Sequence, residues 1–183
     1  IWRQLGCDGW SYDDVLPYFR KLETHTERDD EFHGKNGPLK VTRAHTKNEL
    51  FDAFISAGNA AGYPVTDDFN GSQQEGFGRY DFSIYNGRRQ STAVAYLNPV
   101  KKRANLDIVT NANVNRVIFN KNRAVGVEYE RIGELFSATA EKEIVISAGA
   151  INSPAILQAS GVGNGEELRE LSIPVVKNLP GVG

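Results

Sequence analysis

Residues 143–163, EIVISAGAINSPAILQASGVG, restrict the possible fold more than any other stretch of this chain. Ile144, Val145 and Ile146 form a continuous apolar run of the kind that makes a strand buried on both faces. The run stops at Ser147-Ala148-Gly149-Ala150, where small residues let another backbone or a ligand come close. Ser153 stands where a helix N-cap belongs, and Pro154 fits the first helical position. The pattern predicts one short helix over 155–159 with Gly161 as its stop. Strand, small-residue turn and helix N-terminus in that order suit an anionic group or a nucleotide. The same spacing is also met by an ordinary buried strand and capped helix whose glycines serve turn geometry.

Composition narrows the class. At 183 residues, with 40% hydrophobic and 24% charged residues, the chain can bury a core of one or two domains. A net charge of −2 argues against a general nucleic-acid or membrane surface. No apolar run approaches the length of a membrane span, and nothing resembles a signal peptide, so a cytoplasmic setting is favoured without being specified. Cys7 is the single cysteine, which excludes an internal disulfide and suits a small apolar filler better than a reactive thiol. The chain has no methionine, begins inside a motif at Ile1-Trp2-Arg3-Gln4-Leu5-Gly6, and ends on Pro180-Gly181-Val182-Gly183. It is therefore expected to be an internal piece of a longer protein.

Local signals place the remaining elements. Trp10-Ser11-x-x-Asp14-Val15 predicts a helix with a capping box and a hydrophobic staple, kinked or restarted at Pro17. The polar stretch 27–35 predicts a loop, with His25 and His33 as solvated residues lacking carboxylate or cysteine partners at ligand spacing. Thr46-x-x-Glu49 predicts a second capping box, followed by a helix carrying Leu50, Phe51, Phe54 and Ile55 and ending before Gly62 and Pro64. Asp67-Asp68-Phe69-Asn70-Gly71 reads as a structural turn rather than a metal pair or acid–base dyad. Residues 76–85 alternate as a strand leading into an Asn86-Gly87 hairpin turn, and Ser91 is the expected cap of the next helix. Arg88 and Arg89, flanking that turn, are expected to face solvent. Strands are predicted over 106–110, 114–119, 124–130 and 135–140, the middle pair forming a hairpin around Asn120-Lys121-Asn122-Arg123. A short helix bearing Leu168 and Leu171 then leads into an edge strand over 173–176.

Gly149-Ala150-x-x-Ser153-Pro154-x-Ile156-Leu157-x-x-Ser160-Gly161-Val162-Gly163 resembles the second signature of the glucose-methanol-choline (GMC) family of flavin oxidoreductases. GWSYDDVLPYFRKLE, His33-Gly34-x-x-Gly37-Pro38-Leu39 and DFNGSQQEGFGRYDFSIYNGRRQSTAVAYLNP are similar to further segments of that family, in the family's order. The likeness is nearest to its choline-dehydrogenase-like branch. It implies a mixed α/β fold with part of a sheet-and-helix substrate domain and part of a flavin-type Rossmann FAD-binding domain with a β-meander. The shift from aromatic-rich to β-branched sequence near Arg103-Ala104-Asn105 places the boundary, with residues 1–103 mainly in the former and residues 104–183 in the latter. It implies FAD as cofactor, a small-molecule alcohol as substrate, and hydride transfer from the alcohol carbon to the flavin. Neither a nucleic-acid nor a membrane partner is implied; the remaining partners are the missing N- and C-terminal parts of the same protein.

Carried over position by position, the resemblance assigns Val114 a backbone contact with the adenine edge of FAD, and Ala148 and Gly149 a close passage beside its ribose–diphosphate end. It assigns no catalytic residue and no metal ligand here. The G-x-G-x-x-G turn and the flavin-contacting first signature are expected before Ile1, and the catalytic histidine after Gly183. A cofactor-free binding or scaffold module derived from this fold remains the alternative. A hydrolase is disfavoured, since Ser160 lacks a G-x-S-x-G elbow and has no Ser-His-Asp arrangement.

Overall fold

In the computed structural model, which describes residues 1–183, the chain separates into two units, Ile1–Asp107 and Ile108–Gly183. In the first unit, helix α1 (Tyr12–Leu22) opens on the expected capping box: the Asp14 N–H donates to the Ser11 hydroxyl, and the Ser11 N–H donates to the Asp14 carboxylate. The helix runs through Pro17 rather than restarting there. The missing N–H deprives only the Asp13 carbonyl of a partner, and Asp13 is exposed to water. Strand β1 (Glu23–His25) follows directly and pairs in parallel with β2 (Leu39–Arg43), Glu23 opposite Leu39.

Helix α2 (Glu49–Ala60) is capped by Asn48, whose side-chain oxygen accepts the Leu50 N–H. The expected Thr46 box is thus displaced by a better-placed acceptor next to the helix. Gly62, at φ +89°, ends the segment as predicted. The strand expected over 76–85 is broken into β3 (Asp81–Phe82), antiparallel to β2, and β4 (Ile84–Tyr85). Strand β4 turns through Asn86-Gly87 into β5 (Arg88–Arg89). The predicted hairpin turn forms, and Asn86 and Gly87 both have positive φ, as a type I′ turn requires. Arg88 and Arg89 face solvent. The Ser91 hydroxyl accepts the Val94 N–H at 3.3 Å where the next helical stretch opens, with wide π-type turns at Ala93–Leu97 leading into α3 (Asn98–Val100).

The second unit begins with an antiparallel meander, β6 (Asn113–Asn120), β7 (Arg123–Arg131) and β8 (Glu134–Thr139), in the predicted order. Helix α4 (Gly149–Ala159) packs against β6 and against β9 (Val162–Gly163). A short helix α5 (Gly165–Glu170) follows, and β10 (Lys177–Asn178) returns to pair in parallel with β9. The edge strand expected over 173–176 is therefore shifted towards the C-terminus. Val117, Val162 and Leu168 are the buried apolar residues of this unit, Leu168 being only 2% exposed.

Two predicted strands do not form. Residues 106–110 and 144–146 join no ladder, and Ile108, Val109 and Val145 are exposed, Val145 by 78%. A strand exists only through a hydrogen-bonded neighbour, and in this chain β6–β8 pair with one another while β9 is taken by β10. Helix α4 also begins earlier than expected. Ala148 occupies the N-cap position, and Ser153 lies inside the helix with Pro154 after it. No helix is long and apolar enough to cross a membrane.

Gly161 stops α4 as predicted, at φ +86°, and a Cβ there would collide with the Pro174 carbonyl and crowd Val176. A Gly161→Ala substitution is expected to destabilise the second unit by at least about 1 kcal/mol from the left-handed backbone alone. Chemical denaturation of the two proteins checks this; an unchanged midpoint and slope would refute it.

Candidate functional site

The three residues expected to contact a cofactor lie on two packed elements of the second unit. Val114 is half-buried on β6, opposite Tyr129 of β7. The register slips immediately after it: Arg116 pairs with Glu128, so Asn115 is the extra residue of a β-bulge. A bulge locally interrupts the ladder and leaves backbone polar groups beside Val114 open to other partners. Ala148 and Gly149 are exposed at the start of α4. Gly149 has φ +86°, and nothing stands within 4 Å of where its Cβ would be. The helix start has no side-chain cap of the usual kind, so its first-turn N–H groups face outward with the positive end of the helix dipole. An open glycine, uncapped N–H groups and a strand bulge fit a ligand with a phosphate and a flat hydrogen-bonding ring.

A second constellation lies in the first unit, where the sequence predicts only loop residues. His25 and His33 are among the most buried residues of the chain, 3% and 4% exposed, with ring centroids 4.8 Å apart. This overturns their expected solvation, because their carboxylate partners arrive from distant segments. His33 Nδ1 lies 2.9 Å from Glu23 Oε1, and Nε2 lies 2.9 Å from Asp68 Oδ2. Each ring nitrogen therefore donates to a carboxylate, which requires the imidazolium form. Burial works against that charge, but the hydrogen bonds to Asp68 and Glu23 and the attraction of both carboxylates outweigh it. The pKa is raised above the ordinary value of about 6.5. Burial likewise acts to raise Asp68, yet the bonds from His33 and from the Asn70 N–H, with the charges of His33 and Arg28, hold it below the ordinary carboxylate value.

His25 is bonded differently. Its Nδ1 accepts the N–H groups of Glu27 and Arg28 at 3.3 and 3.1 Å, so the proton sits on Nε2, 3.2 Å from Asp81 Oδ2. That approach is close but poorly aligned for a hydrogen bond, and Asp81 Oδ1 is buried without a partner. Arg28 neutralises Asp81 through its Nε at 3.0 Å and also reaches Asp67, which Arg43 grips in turn. The turn expected at 67–71 does form, with Asp68 Oδ1 accepting the Asn70 N–H, but its carboxylates also hold Arg28 and His33 of the loop after β1 and Arg43 of β2.

Asp30, His33 and Asp68 present ligand atoms within 4.8 Å of one another. A metal would need a ring nitrogen lone pair, and both nitrogens of His33 are committed as donors, while Arg28 Nη1 lies 3.9 Å from Asp68. The arrangement is an ion network rather than a metal centre. The signal legible in the sequence is His33-Gly34-x-x-Gly37. A Cβ at Gly34 would overlap the Arg20 and Glu23 carbonyls, and one at Gly37 the backbone of Leu22 and Glu23, so the glycines mark where the loop presses on the end of α1.

Because the folded His33 pKa is raised, its contribution to stability is full below about pH 6.5 and is lost as pH rises through the folded value. For Asp68, lowered on folding, the contribution is present above its unfolded value and lost as pH falls. The thermal stability of the wild type is thus expected to fall as pH rises above neutral, and His33→Gln to flatten that limb. His33→Ala, which strands two partly buried carboxylates, should cost about 3 kcal/mol near neutral pH. A His33→Gln profile identical in shape to the wild type would contradict this assignment.

Residues 1–181 match the family model described as GMC oxidoreductase. The chain is 50% identical over 182 residues to the mitochondrial choline dehydrogenase of Mus musculus, covering all of this chain and 30% of that protein. It is 51% identical over 180 residues to the oxygen-dependent choline dehydrogenase of Burkholderia ambifaria, covering 97% of this chain and 32% of the relative. Among solved structures, an FAD-dependent oxidoreductase from Chaetomium thermophilum superposes with a TM-score of 0.90 at 30% identity, over all of this chain and 34% of that one. The chain thus spans about a third of the length of the relatives it matches.

Proposed function

Because the chain belongs to the GMC oxidoreductase family, we propose that the protein binds FAD and oxidises the CH–OH group of a small alcohol. The observation that carries this is the identity of about half of all residues with choline dehydrogenases, held across the whole chain. Choline is accordingly the first alcohol to test. Bound FAD would supply the hydride acceptor for that oxidation.

The chain's own contribution is binding and orientation. Residues 104–183 form part of the FAD-binding domain in this reading, and residues 1–103 part of the substrate domain. The backbone at Val114, freed beside the Asn115 bulge, offers donor and acceptor groups to the adenine edge. The outward N–H groups at the start of α4 suit the diphosphate, and the bare Gly149 leaves room for its approach. No residue of this chain is assigned a catalytic role: His25 and His33 are buried in their ion network, and His45 is engaged with Glu27 in the first unit.

The purified whole protein is expected to be yellow, with a flavin spectrum that bleaches anaerobically when choline or a related alcohol is added. A colourless protein that cannot be reconstituted with FAD would overturn the proposal. Gly149→Val puts a branched side chain into the open space beside the helix start, on a left-handed backbone. Flavin retention should fall sharply in that variant, as read by the FAD released on gel filtration. Retention equal to the wild type would mean that the cofactor does not pass this turn.

A further inference from the structure

Ser153 inside α4 and Ser160 at its C-cap each hold a backbone N–H belonging to, or lying beside, one of the segments assigned to the cofactor. Ser160 is 8% exposed; its hydroxyl accepts the N–H of the buried Val117 at 2.8 Å and donates to the Ile156 carbonyl at 2.5 Å. Val117 lies on β6, the strand that carries Val114. Ser153 accepts the N–H of Ala148 at 3.1 Å. The two serines are about two helical turns apart, hence on one face of α4. From the geometry we infer that Ser160 and Ser153 are positioning residues that clamp β6 and the Ala148-Gly149 turn onto one helix, fixing the adenosine side of the cofactor site. The inference rests on the FAD reading above.

The physical cause is the cost of an unpaired buried donor. The Val117 N–H goes to Ser160, although Val117 pairs with Val127 across the ladder, so removing the hydroxyl leaves a buried N–H without a partner. The strand can then recover only by moving away from α4 towards water, and it carries Val114 with it. Ser153 acts on the other segment. Its bond spends the Ala148 N–H on the helix and holds the turn so that the following N–H groups point outward. The same bonds exclude a nucleophilic role for Ser160, whose proton is committed to the Ile156 carbonyl.

The test uses the whole protein freed of flavin and titrated separately with FAD, by flavin fluorescence, and with ADP, by calorimetry. Ser160→Ala should weaken FAD and ADP by the same factor, roughly tenfold or more. Ser160→Thr, which keeps the hydroxyl, should recover most of the loss. Ser153→Ala should weaken both ligands by a smaller common factor. A Ser160→Ala protein that melts lower but binds FAD and ADP as the wild type does overturns the positioning role, because stability alone has then changed. If Ser160→Ala does not fold, Ser153→Ala decides, and wild-type affinities in that variant overturn the clamp. A wild-type protein that takes up no FAD overturns the FAD reading itself, and the clamp falls with it.

Discussion

A polar group taken out of water must find a partner, and that requirement shapes both units more than apolar packing does. In the first unit Ala95 is the one buried apolar side chain, against the buried His25, His33 and Thr66. Its interior is a set of bonds between segments far apart in sequence: His33 joins the β1 end to Asp68, and Arg28 joins the same region to Asp81 on β3. The two histidines do different work because their hydrogen-bond partners differ. Two carboxylates flank His33 and hold it charged, whereas two backbone N–H groups donate to Nδ1 of His25. In the second unit the comparable contact is a single bond, from the Val117 N–H to Ser160, which ties the meander to the helix packed on it.

What could be read from the sequence was what neighbouring residues decide. The Ser11–Asp14 box, the Asn86-Gly87 hairpin, the meander and the Gly161 stop each depend on groups within a few positions, and all are present. What could not be read depends on partners elsewhere. Ile144–Ile146 has the composition of a buried strand, but composition does not supply a ladder, and the strands nearby pair among themselves. His33 finds one of its carboxylates 35 positions away, beyond any spacing pattern. Ser153 departs from its expected N-cap position for a subtler reason. It does accept a helix-start N–H, as a cap should, but it reaches back to Ala148 from inside the helix.

For the site, the motif at 149–163 located the turn and helix, and the structure adds why its small and polar residues stand where they do. Gly149 has the backbone conformation that favours glycine and open space on its bare side; Gly161 has a carbonyl where a side chain would be. The two serines between them face backbone donors rather than solvent. None of these features reacts with anything. They set shape and hold edges, which in the proposed FAD-binding reading is the share of the work that falls to the protein rather than to a cofactor.

Hydrogen exchange of the apoprotein with and without FAD reads the proposed site segment by segment. FAD should slow exchange at residues 113–118 and 148–152, while the His25–His33 network in the first unit, assigned no part in holding the adenosine end, exchanges as before. FAD that binds tightly yet leaves both of those second-unit segments unprotected would contradict the placement of the cofactor against β6 and α4.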